Sequence, residues 1–126
     1  MNVLQIIETA YRATLEEQDD TVLWATTAMA GAGGSFSVLL RGPAVNYAVT
    51  GQDASGLAFG EWTQTHPPAI EADLARLMGK DAPIYVVEED LTRRGLRKAD
   101  CAPGIRFLPQ RKIAALINAH DQTWLW

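Results

Sequence analysis

The sequence has little of what secreted and membrane proteins carry. Cys101 is its single cysteine, so no disulfide can form within the chain, and a cytoplasmic location is expected. No apolar run approaches the roughly 18 residues of a membrane-spanning helix. The run Val3–Ile7 is too short for a signal peptide and follows no basic residue. The sequence therefore predicts a cytoplasmic protein that makes no membrane contact.

Glycine motifs that bind nucleotides are also missing. No G-x-G-x-x-G stretch follows the first apolar run, and Gly79-Lys80-Asp81 lacks the glycine spacing and the hydroxyl of a phosphate loop. The net charge is −4, and the densest basic cluster, Arg93–Lys98, is more typical of a solvated helix end than of a nucleic-acid site. We therefore expect no cofactor and no nucleic-acid partner.

Metal-ligand patterns are absent as well. The chain has two histidines, His66 and His120, and neither lies beside the acidic run Glu88–Asp90. Three consecutive carboxylates do not share one direction, and without a histidine they suit a transition metal poorly. We expect no metal, and we expect this run to cap the helix that follows it.

What the sequence does contain is a succession of short apolar runs and helical patterns. A chain of 126 residues suits one domain, residues 1–126. The runs lack clean polar–apolar alternation, which favours parallel strands covered on both faces. The sequence thus predicts an α/β sandwich around a mostly parallel five-stranded sheet. The predicted strands are Val3–Ile7, Phe36–Leu40, Ile84–Val87, Ile105–Leu108 and a short final one at Thr123–Trp126.

Helices are predicted between these strands. They run from Asp19–Thr21 to the glycine-rich turn Gly31–Gly34, over Ala44–Val49, over Ile70–Met78 with Asp73 and Arg76 outward, over Glu88–Arg94, and over Lys112–Ala119. The intervening segment Gly51–Pro68 shows no period, and its three large apolar residues predict an ordered flap or a subunit contact. The first helix is apolar nearly all round, which favours burial of Trp24 in an oligomer.

Candidate ligand-binding residues lie where the strands end, because open α/β sheets bind ligands at the carboxyl ends of their strands. They are Glu8, Thr9, Arg41, Asn46, Glu88 and Glu89. Arg41 could clamp an anion or pair with Glu8 or Glu88, and both alternatives stay open. Asn46 could point its amide into the same crevice or be a plain surface residue. His66 could act as a general base if the flap closed over the crevice, or be an ordinary loop residue.

Several stretches together resemble the DsrE/DsrF-like family of sulfur-relay proteins. They are the glycine-rich turn after the first helix, residues Val38–Val45, residues Ile84–Leu96 and residues Pro103–Ile105. The resemblance implies a flavodoxin-like three-layer sandwich, a homo-oligomer (trimer or hexamer) and, in some members, a cysteine that carries sulfur as a persulfide. That cysteine aligns with Val87 here, and valine has no nucleophilic atom.

Three functions remain open. The first is an oligomeric DsrE/DsrF-like protein of sulfur metabolism that lacks the usual sulfur-carrying cysteine and binds a small polar ligand or a sulfur-relay partner protein. The second is a sulfur carrier or sulfurtransferase that uses Cys101, which is predicted in a loop at the amino edge of the sheet. The third is a structural interaction subunit assembled through Trp24, Trp62 and the Trp124–Trp126 tail.

Overall fold

The structure is a computed structural model that describes residues 1–10 and 22–126. The described strands are β1 (Asn2–Ile7), β2 (Ser35–Leu40), β3 (Ala58–Phe59), β4 (Trp62–Thr63), β5 (Ile84–Val87), β6 (Arg106–Leu108) and β7 (Gln122–Leu125). The described α-helices are α1 (Val22–Gly31), α2 (Ile70–Met78), α3 (Glu88–Arg93) and α4 (Ile113–Asn118). The described residues also form 3-10 helices at Gly42–Ala48, Lys98–Asp100 and Gln110–Lys112.

Five strands form one parallel sheet in the order β6-β5-β2-β1-β7. The central strands β1 and β2 are buried from their second residue to their last, which explains why they read as apolar runs. Their register pairs Ile7 with Leu40, so the two strands end side by side. The predicted parallel sheet is confirmed, and each predicted strand end lies within one residue of the observed one.

Helices cover both faces of this sheet. On one face, Leu23 of α1, Leu77 of α2 and Leu91 of α3 belong to one buried cluster, together with the 3-10 helix Gly42–Ala48. On the other face, α4 is the one described helix that packs against a second cluster. It consists of Leu4, Ile6, Leu39 and Val87, contacted by Ile113, Leu116 and Ile117 of α4. The predicted α/β sandwich is therefore confirmed.

The order of the strands determines where a crevice can form. Counted in chain order within the sheet, the strands lie 4-3-2-1-5, whereas flavodoxin has the order 2-1-3-4-5. The chain leaves β5 toward the face that carries α3, and it leaves β6 toward the opposite face, which carries α4. Connections that diverge from neighbouring strands open a crevice at their carboxyl ends.

The flap predicted without periodicity, residues 51–68, contains a small β-hairpin. Ala58 pairs with Thr63 and Phe59 with Trp62 in an antiparallel arrangement. Gly60 begins the two-residue turn with φ of +58°, a conformation that glycine adopts without steric cost. The hairpin is anchored to the rest of the flap by a hydrogen bond from the Gln64 amide to the Leu57 carbonyl oxygen, 2.7 Å long.

The predicted outward position of Asp73 on α2 is wrong. Asp73 is buried, and its Oδ1 accepts a hydrogen bond from Arg76 Nη1 at 3.0 Å, while Arg76 itself is exposed as expected. Asp73 follows Ile70 by three residues and precedes Leu77 by four, so helical geometry places it on the buried face. The charge of Asp73 predicted the outer face, although its spacing from Ile70 and Leu77 is that of the buried face.

The remaining helices differ little from their predicted bounds. The short helix predicted at Ala44–Val49 is the 3-10 helix Gly42–Ala48, with Pro43 in its first turn. The predicted helix start Asp19–Thr21 lies outside the described residues. Among the helices that the structure describes, none has the length and apolar run that crossing a membrane requires.

Candidate functional site

A crevice runs along the carboxyl edge of the sheet, where β1, β2 and β5 end. It consists of two adjoining depressions that share Gly42 and Asp90. We call their union the carboxyl-edge crevice; its other lining residues are Glu8, Arg41, Pro43, Asn46, Val87, Arg93, Arg94, Gln110 and Ile113. The crevice lies where the connections after β5 and β6 diverge, as sheet topology requires.

Glu8 and Arg41 form an ion pair at one end of the crevice. The pairing follows from the register of β1 and β2, since each residue comes directly after one of the paired residues Ile7 and Leu40. Of the two alternatives for Arg41, the ion pair with Glu8 is the one that the structure contains. Both side chains are more than a third exposed, so the pair is weak and a ligand can compete for either partner.

The acidic run Glu88–Asp90 does not cap α3. Val87 occupies the cap position, and it makes no side-chain capping bond. The three carboxylates instead bind groups of three other elements, in the first turn of a helix whose positive end favours negative charge. Glu88 Oε1 lies 3.0 Å from Lys98 Nζ. Glu89 Oε2 accepts a hydrogen bond from the backbone amide of Gln110 at 2.8 Å. Asp90 Oδ2 accepts one from the backbone amide of Gly42 at 2.8 Å.

The depression lined by Asn46, Arg93 and Arg94 carries an excess of positive charge. Its charged residues are Arg93, Arg94 and Asp90, and Arg93 Nη1 donates to Asp90 Oδ1 at 2.7 Å. The side chain of Arg94 has no hydrogen bond or ion pair with any described residue. The side-chain amide of Asn46, which lines the same depression, likewise makes no hydrogen bond within the described part of the chain. A cationic donor and a neutral donor therefore face one hollow, an arrangement suited to an anion.

The sequence-predicted residues divide into two groups. Glu8, Arg41 and Asn46 line the crevice, whereas Glu88 and Glu89 lie beside it in the contacts described above. Thr9 is exposed beyond the end of β1 and lines neither depression. His66 is exposed on the flap, where its Nδ1 lies 2.9 Å from Thr65 Oγ1, and it does not line the crevice.

Arg93 and Arg94 are the crevice residues that sequence reasoning missed. They belong to a basic cluster that the sequence pattern assigned to a solvated helix end. The available signal was their position, six and seven residues after the end of a predicted strand, on a helix too short to carry them far from the edge of the sheet.

Val87 is the residue that the resemblance aligns with a family cysteine, an alignment that stays a prediction. It is the last residue of β5, it is fully buried, and it packs in the cluster with Leu4, Ile6 and Leu39. Its side chain ends in two methyl groups and has no nucleophilic atom.

Cys101 lies elsewhere, before β6, in a segment bridged to Val49. The residue predicted as a loop cysteine is buried in the larger core cluster, and its Sγ lies 3.8 Å from the Arg97 carbonyl oxygen. Burial, and after it the charge of Asp100, raises the pKa of the Cys101 thiol. A buried thiol with a raised pKa is a poor nucleophile near neutral pH.

No group of three or more histidine, cysteine, aspartate or glutamate side chains within residues 1–10 and 22–126 is arranged to hold a metal ion. The carboxylates that line the crevice, Glu8 and Asp90, are instead paired with Arg41 and Arg93. The chemistry that the described residues offer at this edge is recognition through charge and hydrogen bonds.

Comparison with solved structures shows the fold alone. The YchN protein of E. coli is similar over 100% of both chains, with a TM-score of 0.71 and 16% sequence identity. MTH1491 of Methanobacterium thermoautotrophicum, a protein of unknown function, is similar over 99% of this chain and 98% of its own, with a TM-score of 0.67 and 9% identity. The sequence matches no protein-family model and no curated protein.

Proposed function

We propose that this chain is a DsrE/DsrF-like protein that binds a small anion in the carboxyl-edge crevice and carries no sulfur on a crevice thiol. The observation that carries the proposal is that Arg94 and Asn46 face one depression and have side-chain donors without partners among the described residues. Arg93, held by Asp90 in the same depression, adds a second cation. The similarity in fold to YchN supports the resemblance noted in the sequence.

A sulfur-containing oxyanion is the ligand class that suits both the crevice and the resemblance. Arginine binds planar or tetrahedral oxyanions through two parallel hydrogen bonds, and an amide donor adds a third. Sulfite, sulfate and thiosulfate offer such acceptors. A relative of sulfur-relay proteins without its thiol could thus bind a sulfur compound instead of carrying sulfur covalently.

The proposed protein works as a homo-oligomer, a trimer or a hexamer. Large apolar side chains on its surface support this part of the proposal, because exposed apolar surface can mark a contact between subunits. Trp24, Phe59, Trp62, Leu125 and Trp126 are all more than 40% exposed. Light scattering coupled to size exclusion tests the oligomer, and a monomeric mass would remove this part of the proposal.

Anion binding is tested by isothermal titration with sulfate, sulfite and thiosulfate. Arg94→Ala should lower the affinity for the anion about tenfold or more, since a hydrogen bond to a charged group contributes about 1.5–3 kcal/mol. Arg106→Ala is the matched control, because Arg106 lies at the opposite end of β6 and is exposed. Equal loss in both variants, or no binding by the unmodified protein, would contradict the proposal.

A sulfur carrier that uses Cys101 is the second candidate. Its support is that Cys101 is the single thiol of the chain. Incubation with a sulfane-sulfur donor, followed by intact mass measurement, would then show the gain of one sulfur atom, and Cys101→Ser would abolish it. The buried position and raised pKa of the thiol favour the anion-binding function instead.

A further inference from the structure

A separate hollow lies between the flap and the start of α2. Its volume is about 450 Å³, within the range of cavities that hold small molecules. None of the residues that line it also lines the carboxyl-edge crevice. We call it the flap cavity, and its properties are independent of the function proposed above.

The wall formed by the flap is held in place by its own hydrogen bonds. Gln64 is buried, and its backbone amide donates to the Leu57 carbonyl oxygen at 2.7 Å. Its side-chain Oε1 accepts a hydrogen bond from the Leu57 backbone amide at 3.3 Å. Gly56 lies against this pair with φ of +87°, and a Cβ there would stand 3.1 Å from the Gln64 carbonyl oxygen. The cavity is thus largely formed before any ligand arrives, which lowers the entropic cost of binding.

Apolar side chains make up much of the lining. Val49, Leu57, Pro67 and Ile70 contribute to it from the core side, the flap and the start of α2. Such a lining favours a ligand with an apolar body, because burying apolar surface drives association.

The charged groups of the lining are Asp53 and Glu71, and both are negative. Glu71 Oε2 accepts one hydrogen bond from the Gly51 amide at 3.2 Å, and Asp53 Oδ1 accepts one from the Ser55 amide at 2.9 Å. Neither carboxylate has a cationic partner among the described residues. Hydrogen bonds from Ser55 also lower the pKa of Asp53, so this carboxyl stays ionised at neutral pH.

We propose that the flap cavity binds an organic cation, a primary ammonium on a small apolar or aromatic body. The body occupies the apolar lining, and the ammonium reaches the carboxylates of Asp53 and Glu71. This preference is opposite to that of the crevice, where arginines select anions.

The proposal is tested by calorimetric titration with benzylammonium and with benzyl alcohol, a neutral molecule of nearly the same shape. Benzylammonium should bind about five- to thirtyfold more tightly, because each of the two exposed carboxylates adds up to about 1 kcal/mol of attraction. Glu71→Gln and Asp53→Asn should each weaken its binding about three- to fivefold. Glu61→Gln is the matched control, since Glu61 lies at the hairpin turn outside the cavity and should leave the affinity unchanged.

A blocking variant locates the binding. Ala54 is exposed and lines the cavity, so Ala54→Trp fills the hollow without altering the core, and it should abolish benzylammonium binding. Unchanged binding in Ala54→Trp, or equal affinities for the two molecules, would overturn the proposal. One further outcome would overturn it: the parent protein does not bind benzylammonium, and Ala54→Trp lowers the mass of the oligomer. A second copy of the chain would then occupy the cavity. Anion titration of the same samples separates this failure from failure of the crevice.

Discussion

The carboxylate of Asp90 accepts a hydrogen bond from the backbone amide of Gly42 over 2.8 Å, and it thereby ties the start of α3 to the turn after β2. The same side chain holds Arg93 at 2.7 Å through its other oxygen. Asp90 is mostly buried, whereas Arg93 is largely exposed. One aspartate therefore sets both the floor of the crevice and the position of one of its cations.

This arrangement predicts different costs for two substitutions of Asp90. Asp90→Ala leaves the Gly42 amide without its acceptor, which should lower the free energy of unfolding by about 1–3 kcal/mol. Asp90→Asn keeps an oxygen for that amide and loses only the charge, so it should cost less than about 1 kcal/mol. Urea unfolding of both variants gives the two values. Equal costs would show that the hydrogen bond from the Gly42 amide contributes nothing to stability.

Two glycines with positive φ, one of them in the flap, give a second prediction. Gly56 and Gly33 both have positive φ, but a Cβ would meet the Gln64 carbonyl oxygen at Gly56 and nothing within 4 Å at Gly33. Both alanine variants should lose about 1–2 kcal/mol from the left-handed backbone alone. Only Gly56→Ala should also disturb the flap, and amide hydrogen exchange of Leu57 and Gln64 should then accelerate. Equal exchange in both variants would contradict the packing described for the flap.

The buried thiol predicts a pH dependence of stability. The pKa of Cys101 is raised in the folded state, so folding favours the neutral thiol. Stability should be unaffected below the thiol pKa of the unfolded chain, about 8.5. As the pH rises from there through the raised value, the unfolded chain loses its proton first and stability falls. The decline measured by urea unfolding should be smaller in Cys101→Ala, and an identical decline would assign it to other groups.

The fold was largely predictable because the strands differ so clearly from their surroundings. Most residues of β1 and β2 are apolar, and in a parallel sheet their register brings Glu8 beside Arg41. The hairpin strands Ala58–Phe59 and Trp62–Thr63 have two residues each, too few to show any period. The crevice was less predictable, since the depression that Arg94 lines forms only when the 3-10 helix Gly42–Ala48 and α3 pack together.

The last prediction concerns His120, which joins α4 to the sheet. Its Nδ1 lies 2.8 Å from the Leu116 carbonyl oxygen, which can only accept, so Nδ1 carries a proton. In the neutral ring Nε2 then accepts from the Ser37 hydroxyl at 2.9 Å. His120 directly follows the predicted helix Lys112–Ala119. In the structure it pins to β2 the one described helix that packs on its face of the sheet.

A double-mutant cycle measures this bond. Ser37→Ala and His120→Ala should each lower the free energy of unfolding, and together they should cost less than the sum, with a coupling of about 0.5–1.5 kcal/mol. Amide exchange in α4 should accelerate in His120→Ala more than in α2, because α2 packs on the opposite face of the sheet. Additive costs would mean that the two side chains lie close together without stabilising each other, and α4 would then depend on Ile113, Leu116 and Ile117 alone.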